Sequence, residues 1–240
     1  QLGVRTLRIQ GQEGTAVGSP VFAPSKDIAK TFEQRGYALL SSPKIYPGQV
    51  IEANLYTDRE GGMDCRLYIN YYGEADQVTS IYGESRHISS GQNISIDLAV
   101  PKEAHPVFEV GIELLSEGAV YLDYLRWDGI PEVSFIRPEG KGTMWRRAWV
   151  HALDTFSSRP EPYRLVQNEG TGLLIQGSRE WTDYQVKADV TPHLVKSVGI
   201  VGRFQGMRRY YSLVITEKGE LQVNKMLNKL ECLKAIPFDW

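Results

Sequence analysis

The chain offers little that would hold a metal, cross a membrane or grip a nucleic acid. Only two of its 240 residues are cysteines and four are histidines. Cys65 and Cys232 fall in opposite halves, which argues against a disulfide-stapled framework and predicts two free thiols. His87, His105, His151 and His193 have no partner one helical turn away and no Cys-x-x-Cys companion, so no zinc ligand set can be read. No apolar run approaches the roughly 20 residues of a helical membrane span, and no leader pattern opens the sequence. The formal charge is −2 with the two signs interspersed, so counterion release would drive nucleic-acid binding only weakly and no nucleic-acid partner is expected. A phosphate loop is missing too. In EGTGLLIQG, Gly170 and Gly172 are followed by Ile175 where a third glycine is required, with no strand–helix context around them.

What the chain does have is short alternating runs punctuated by Gly, Pro, Ser and Asp. In the first half these predict strands at 2–9, 16–22, 37–40, 49–57, 64–72, 92–100, 107–115 and 119–127, the cadence of an antiparallel sandwich. Only Ser25–Gln34, with Ser25 as N-cap, could seat a turn or two of helix. The run GAVYLDYLRWDGIP, Gly118 to Pro131, reads as a last strand entering a connector. Strict alternation along it puts Val120, Leu122 and Tyr124 on one face and Tyr121, Asp123, Leu125 and Trp127 on the other. After the polar stretch PEVSFIRPEGKGT a second series of strands is expected at 145–156, 163–167, 172–176, 184–191, 198–204, 209–216, 220–225 and 229–235. The expected fold is therefore all-β, two tandem antiparallel β-sandwiches: residues 1–131, a linker at 132–142, and residues 143–240.

Tyrosines gather in the first half beside Asn, Asp and Arg, the mixture that suits a sugar. A pyranose stacks an apolar CH face on an aromatic ring and offers hydroxyls to planar polar groups. The period of two places Arg66, Tyr68 and Asn70 on one face of a strand, and these are the candidate ligand residues. Tyrosine also packs well in any strand, so a scaffold role competes. Asp123, Asp128, Asp154, Asp183 and Asp189 could pair as acid and base, but no spacing marks two of them as a catalytic couple.

At GIVGRFQGMRRYYSLVITEKGELQVNKM, and upstream at GLLIQGSREWTDYQVKADVTP, the second half resembles concanavalin A-like jelly rolls related to laminin G modules and to the sandwich of 3-keto-disaccharide hydrolases. The first half, through GAVYLDYLRWDG, resembles a galactose-binding-like or carbohydrate-binding-module sandwich. The tandem is similar to the carboxyl-terminal region of bacterial ADP-ribosylglycohydrolase-type proteins. That resemblance implies a non-catalytic module that binds carbohydrate or a glycan-like ligand, or positions a neighbouring catalytic domain of the same polypeptide. The helical, magnesium-binding body of such hydrolases has no counterpart in these residues. The likeness of the first half to galactose-binding-like modules implies a structural calcium near the amino-terminal and last strands, for which Glu13 and Asp123 are the candidate ligands. A glycoside-processing enzyme with a carboxylate pair in the second sandwich, and a purely structural interaction module, are the competing readings. The second sandwich is expected to be incomplete where the sequence stops, leaving Val186, Ala188, Ile200 and Leu213 partly uncovered and strand edges unpaired.

Overall fold

The computed structural model describes residues 6–22, 42–157 and 163–239. The strand expected at 37–40 and the helical turn at 25–34 lie outside these residues. The architecture is nearly all β, every strand pairing is antiparallel, and the chain divides into two compact units, Gln1–Ser178 and Arg179–Trp240. This division falls beyond the 132–142 connector, so residues 143–178 group with the first unit.

In the first unit β1 (Leu7–Gly11), β2 (Ala16–Pro20), β3 (Val50–Tyr56), β4 (Met63–Tyr72), β5 (Val78–Tyr82), β6 (Arg86–Ile88), β7 (Asn93–Ala99), β8 (Val107–Leu114) and β9 (Gly118–Asp128) build two sheets. One has the order β1-β9-β3-β7; the other has the order β2-β8-β4-β5, with β6 also paired to β4. Alternation dictates the core. Ile51, Ala53 and Leu55 of β3, Cys65, Leu67 and Ile69 of β4, and Val110, Ile112 and Leu114 of β8 all point inward and are buried in one cluster. Each large aliphatic among them contributes about 1.5–3 kcal/mol relative to exposure. Burial pushes the Cys65 thiol up to about 12, with the Asp64 charge adding to the shift, so this thiol stays protonated. Cys232 is free and exposed.

The face assignment along β9 needs correcting. Asn54 pairs with Tyr124 while the next residue, Leu55, pairs with Leu122, so Asp123 is an extra residue in a β-bulge. Phase is lost there. Val120 and Leu122 point inward before the bulge, Leu125 and Trp127 after it, and Tyr121 and Tyr124 both end outside.

A clasp explains why the chain beyond the connector groups with the first unit. In the β4–β5 turn, Asp76 accepts hydrogen bonds from the backbone N–H of Thr143 at 2.7 Å and of Met144 at 2.8 Å, and from the Thr143 hydroxyl at 3.2 Å. The backbone of Gly142 donates to the Glu74 carbonyl at 2.8 Å, so close that a Cβ at residue 142 would lie 2.4 Å from that oxygen. Helix-forming MWRR then makes one turn, α1 (Met144–Arg147), its first N–H groups capped by that carboxylate. Met144 and Ala148 are buried with Phe22, Tyr72 and Phe108 in a second small core. The single strand expected over 145–156 is therefore replaced by this helical turn and two short strands, β10 (Val150–Ala152) and β11 (Thr155–Ser157), which pair with β13 (Leu173–Ile175) and β12 (Arg164–Val166). Asp76→Ala strands two N–H donors and is expected to cost about 2–3 kcal/mol. Hydrogen exchange over residues 143–148 checks it: protection there should fall while β3 and β8 stay protected.

The second unit is one four-stranded meander, β14 (Ser197–Gly206), β15 (Arg209–Thr216), β16 (Glu220–Leu227) and β17 (Lys229–Pro237). Register puts Val198, Ile200, Leu213, Ile215, Leu221, Val223 and Ile236 on one face. Leu213, Val223 and Ile236 are exposed by 38, 39 and 45%, and all nine residues of β17 are exposed. The strand expected at 184–191 does not form: the segment is unpaired, with Val186 and Ala188 exposed. Its alternation needs a partner edge, and the described residues supply none.

Candidate functional site

The outer face of the β2-β8-β4-β5 sheet gathers the three predicted residues. Arg66, Tyr68 and Asn70 project from alternate positions of β4, opposite Glu113, Gly111 and Glu109 of β8. Arg66 Nε donates to Glu113 Oε2 at 2.6 Å, and its guanidinium lies 3.9 Å over the ring of Tyr82 on β5. Asn70 Nδ2 donates to Glu109 Oε1 at 2.9 Å, and the Ser80 hydroxyl donates to Asn70 Oδ1 at 2.6 Å. Two polar rows thus run across three strands.

Tyr68 lies between these rows, and it is not the exposed stacking platform that alternation suggests. Its side of the sheet is floored by Gly111 and Gly18, where added Cβ atoms would stand 2.5 Å from its ring carbon and its hydroxyl. The ring lies flat across them and is 5% exposed. Its hydroxyl donates to Glu109 Oε1 at 2.9 Å. Burial, then the hydrogen bond to Glu109 and the nearby negative charges, raise its pKa, so it remains a donor that fixes the carboxylate. The exposed ring on this face is Tyr82, at 46%. Tyr82, Ser80, Glu109 and Glu113 are absent from the sequence-based set. Glu109 and Glu113 could have been found, since both share the polar parity of VFEVGIEL, but their strand neighbour is set by topology.

Hydrogen-bonding capacity remains. Among the described residues Glu109 Oε2, Glu113 Oε1 and the terminal nitrogens of Arg66 have no further hydrogen-bond partner. They present acceptors and a planar donor fork beside an exposed ring.

The outer face of the other sheet is also aromatic and polar, but closed on itself. Tyr124 and Arg126 both donate to Glu52, and those bonds, the Tyr124 one foremost, hold the Glu52 carboxyl below the usual range. Tyr121 donates to Asp58 at 3.3 Å and its ring meets Tyr56 at 5.9 Å.

Glu13 and Asp123 are not brought together. Glu13 is exposed in the β1–β2 turn, beyond the Gly11–Gly118 pair, whereas Asp123 lies five residues further along β9, about 17 Å at a strand's rise. Among the described residues no group of three or more His, Cys, Asp or Glu side chains could hold a metal ion. No described helix is long and apolar enough to cross a membrane.

No sequence family matches the chain, and no curated protein does. Solved structures with similar β-sandwich architecture include carbohydrate-binding modules. The CBM22-1 xylan-binding domain of Paenibacillus barcinonensis Xyn10C is 8% identical over 54% of this chain and 75% of its own, with a TM-score of 0.37. A family 16 carbohydrate-binding module is 11% identical over 52% of this chain and 77% of its own, with a TM-score of 0.32. The CBM22-1–GH10 modules of a Clostridium thermocellum xylanase, solved with xylohexaose, are 15% identical over 53% of this chain and 25% of their own, at 0.32. These are likenesses of architecture, and nothing about a ligand passes from them to this chain.

Proposed function

We propose that the first unit is a non-catalytic carbohydrate-binding module whose ligand face is the outer surface of the β2-β8-β4-β5 sheet. The observation that carries this reading is the pairing of an exposed Tyr82 ring with the Arg66–Glu113 and Asn70–Glu109 couples on one face. A sugar ring can pack against the part of Tyr82 that the Arg66 guanidinium leaves exposed, while its hydroxyls reach the free guanidinium nitrogens and carboxylate oxygens. The same reading makes the chain an accessory to a glycoside-processing catalytic domain, as in the ADP-ribosylglycohydrolase-type proteins whose carboxyl-terminal region the sequence resembles.

Geometry disfavours the enzyme alternative. Glu109 and Glu113 are four residues apart on one strand, about 13 Å between Cα positions, and each carboxylate is held by its own partners, Tyr68 and Asn70 for Glu109 and Arg66 for Glu113. In the second unit Asp183 and Asp189 are exposed on an unpaired segment.

A glycan array followed by calorimetry tests the proposal. Tyr82→Ala is expected to weaken the best glycan about threefold to tenfold, the worth of one aromatic stack, with the thermal midpoint nearly unchanged. Absence of any glycan ligand, or full affinity in the variant, would sink it.

A further inference from the structure

Two shallow hollows of about 500 and 600 Å³ adjoin at the end of the second unit's sheet where β14 turns into β15, sharing Gln205 and Arg209 in their walls. Their linings are cationic. Arg179, Arg208 and Arg209 line the first, and Arg203, Arg209 and Lys225 line the second, with Tyr211 beside them. Among the described residues the side chains of Arg203, Arg208, Arg209 and Lys225 have no ion pair or hydrogen bond, while Arg179 donates only to the Gln205 carbonyl, at 3.4 Å. Glu231 is opposite Lys225 in the strand register without forming a salt bridge to it. The balanced charge of the whole sequence hides this local concentration.

The backbone is built to hold it. Pairing of β14 with β15 is interrupted between Gly202 and Gly206, and within that bulge Arg203 has a φ of 52°. A bulky side chain is uncommon there, and bulges recur where a side chain is re-aimed at a site. The Arg203 N–H donates to the Tyr184 hydroxyl at 2.5 Å, which anchors the bulge. Next to it the two hairpin turns are tied by a bond from Asn228 N–H to the Arg208 carbonyl at 3.0 Å. Gathering like charges without counter-charges is unfavourable unless an anion completes the set, and guanidinium forks match the oxygens of sulfate and phosphate.

We infer that this end of the sheet is an oxyanion site for a ligand carrying two or more sulfate or phosphate groups, with Arg209 between the hollows engaging both. The site is independent of the sugar face of the first unit.

The test titrates the whole chain with inorganic tripolyphosphate and with a disulfated disaccharide. Saturable binding by at least one is expected, with affinity falling tenfold or more between about 50 and 200 mM salt. Arg209→Gln should weaken it about tenfold, and Arg208→Gln, at an exposed turn where folding is not at stake, by a lesser but measurable factor. Lys218→Gln removes equal charge from the β15–β16 turn at the opposite end of the sheet and should change affinity less than twofold. Amide shifts should centre on residues 203–209 and 228. A response to tripolyphosphate alone assigns a phosphate ligand and a response to the disaccharide alone a sulfated sugar; either supports the site. Equal losses from Lys218→Gln and Arg209→Gln, no saturation by either probe at about 10 mM, or binding only to a single-stranded oligonucleotide would overturn it.

Discussion

Gly111→Ala is expected to unseat Tyr68 and to lower the stability of the first unit by about 3 kcal/mol, the sum of overpacking and a strained bond to a carboxylate. The new Cβ would stand 2.5 Å from the Tyr68 ring and 2.5 Å from the Val17 carbonyl oxygen, which belongs to the backbone of β2 and cannot swing away. If the ring rotates outward, Glu109 loses the Tyr68 donor, and the row formed with Asn70 and Ser80 loses its anchor. Glycan affinity should fall with stability in this variant, whereas Tyr82→Ala affects affinity alone. Differential scanning calorimetry would show a midpoint lowered by about 6–12 °C for a unit of this size. An unchanged midpoint would mean that the floor beneath Tyr68 is slack.

The second large effect is expected from acid. His105 is half-buried: its Nδ1 is enclosed without a partner, its Nε2 lies 2.9 Å from Gln176 Nε2, and its ring stacks on Tyr46 at 5.4 Å and meets Phe135 edge-on. Burial lowers its pKa from 6.5 to about 4. The unfolded chain therefore takes up a proton that the folded unit refuses. Stability from this residue is complete above pH 6.5 and is lost as pH falls towards 4, by at most about 3 kcal/mol at 1.36 kcal/mol per pH unit. Denaturation of the wild type and of His105→Phe at pH 7 and pH 4.5, followed through β8 amide protection, should show the variant losing less. Parallel losses would remove His105 as the cause.

Strand existence was legible because burial in a sandwich imposes alternation: the strands expected at 49–57, 64–72, 92–100 and 107–115 are observed within a residue or two at each end. Three features were not legible, each for a stated reason. The bulge at Asp123 costs one residue of phase, and no local propensity marks it. β5 and β6 are short and half-exposed, so their patterns resemble loops. The segment at 184–191 alternates cleanly yet pairs with nothing, since alternation reports a preference for one face and a strand also requires an edge to bond. The same limit governs the site. Parity along β4 brings Arg66, Tyr68 and Asn70 together, but only the neighbouring strand shows that Tyr68 is buried over glycines and that Tyr82 takes the exposed position.

The Asp76 clasp also implies an order of assembly. Its partners are 67 residues apart, and the carboxylate precedes the N–H groups it binds. In a chain emerging from its amino end, β1 to β9 can close their shared core before Thr143 has emerged, because every strand of both sheets precedes it. The helical turn then docks as a late arrival, with Met144 sealing a pocket whose walls, Phe22, Tyr72 and Phe108, were made earlier. Until that moment Met144 and Ala148 do not cover those three rings, so the second small core is completed only when the turn docks.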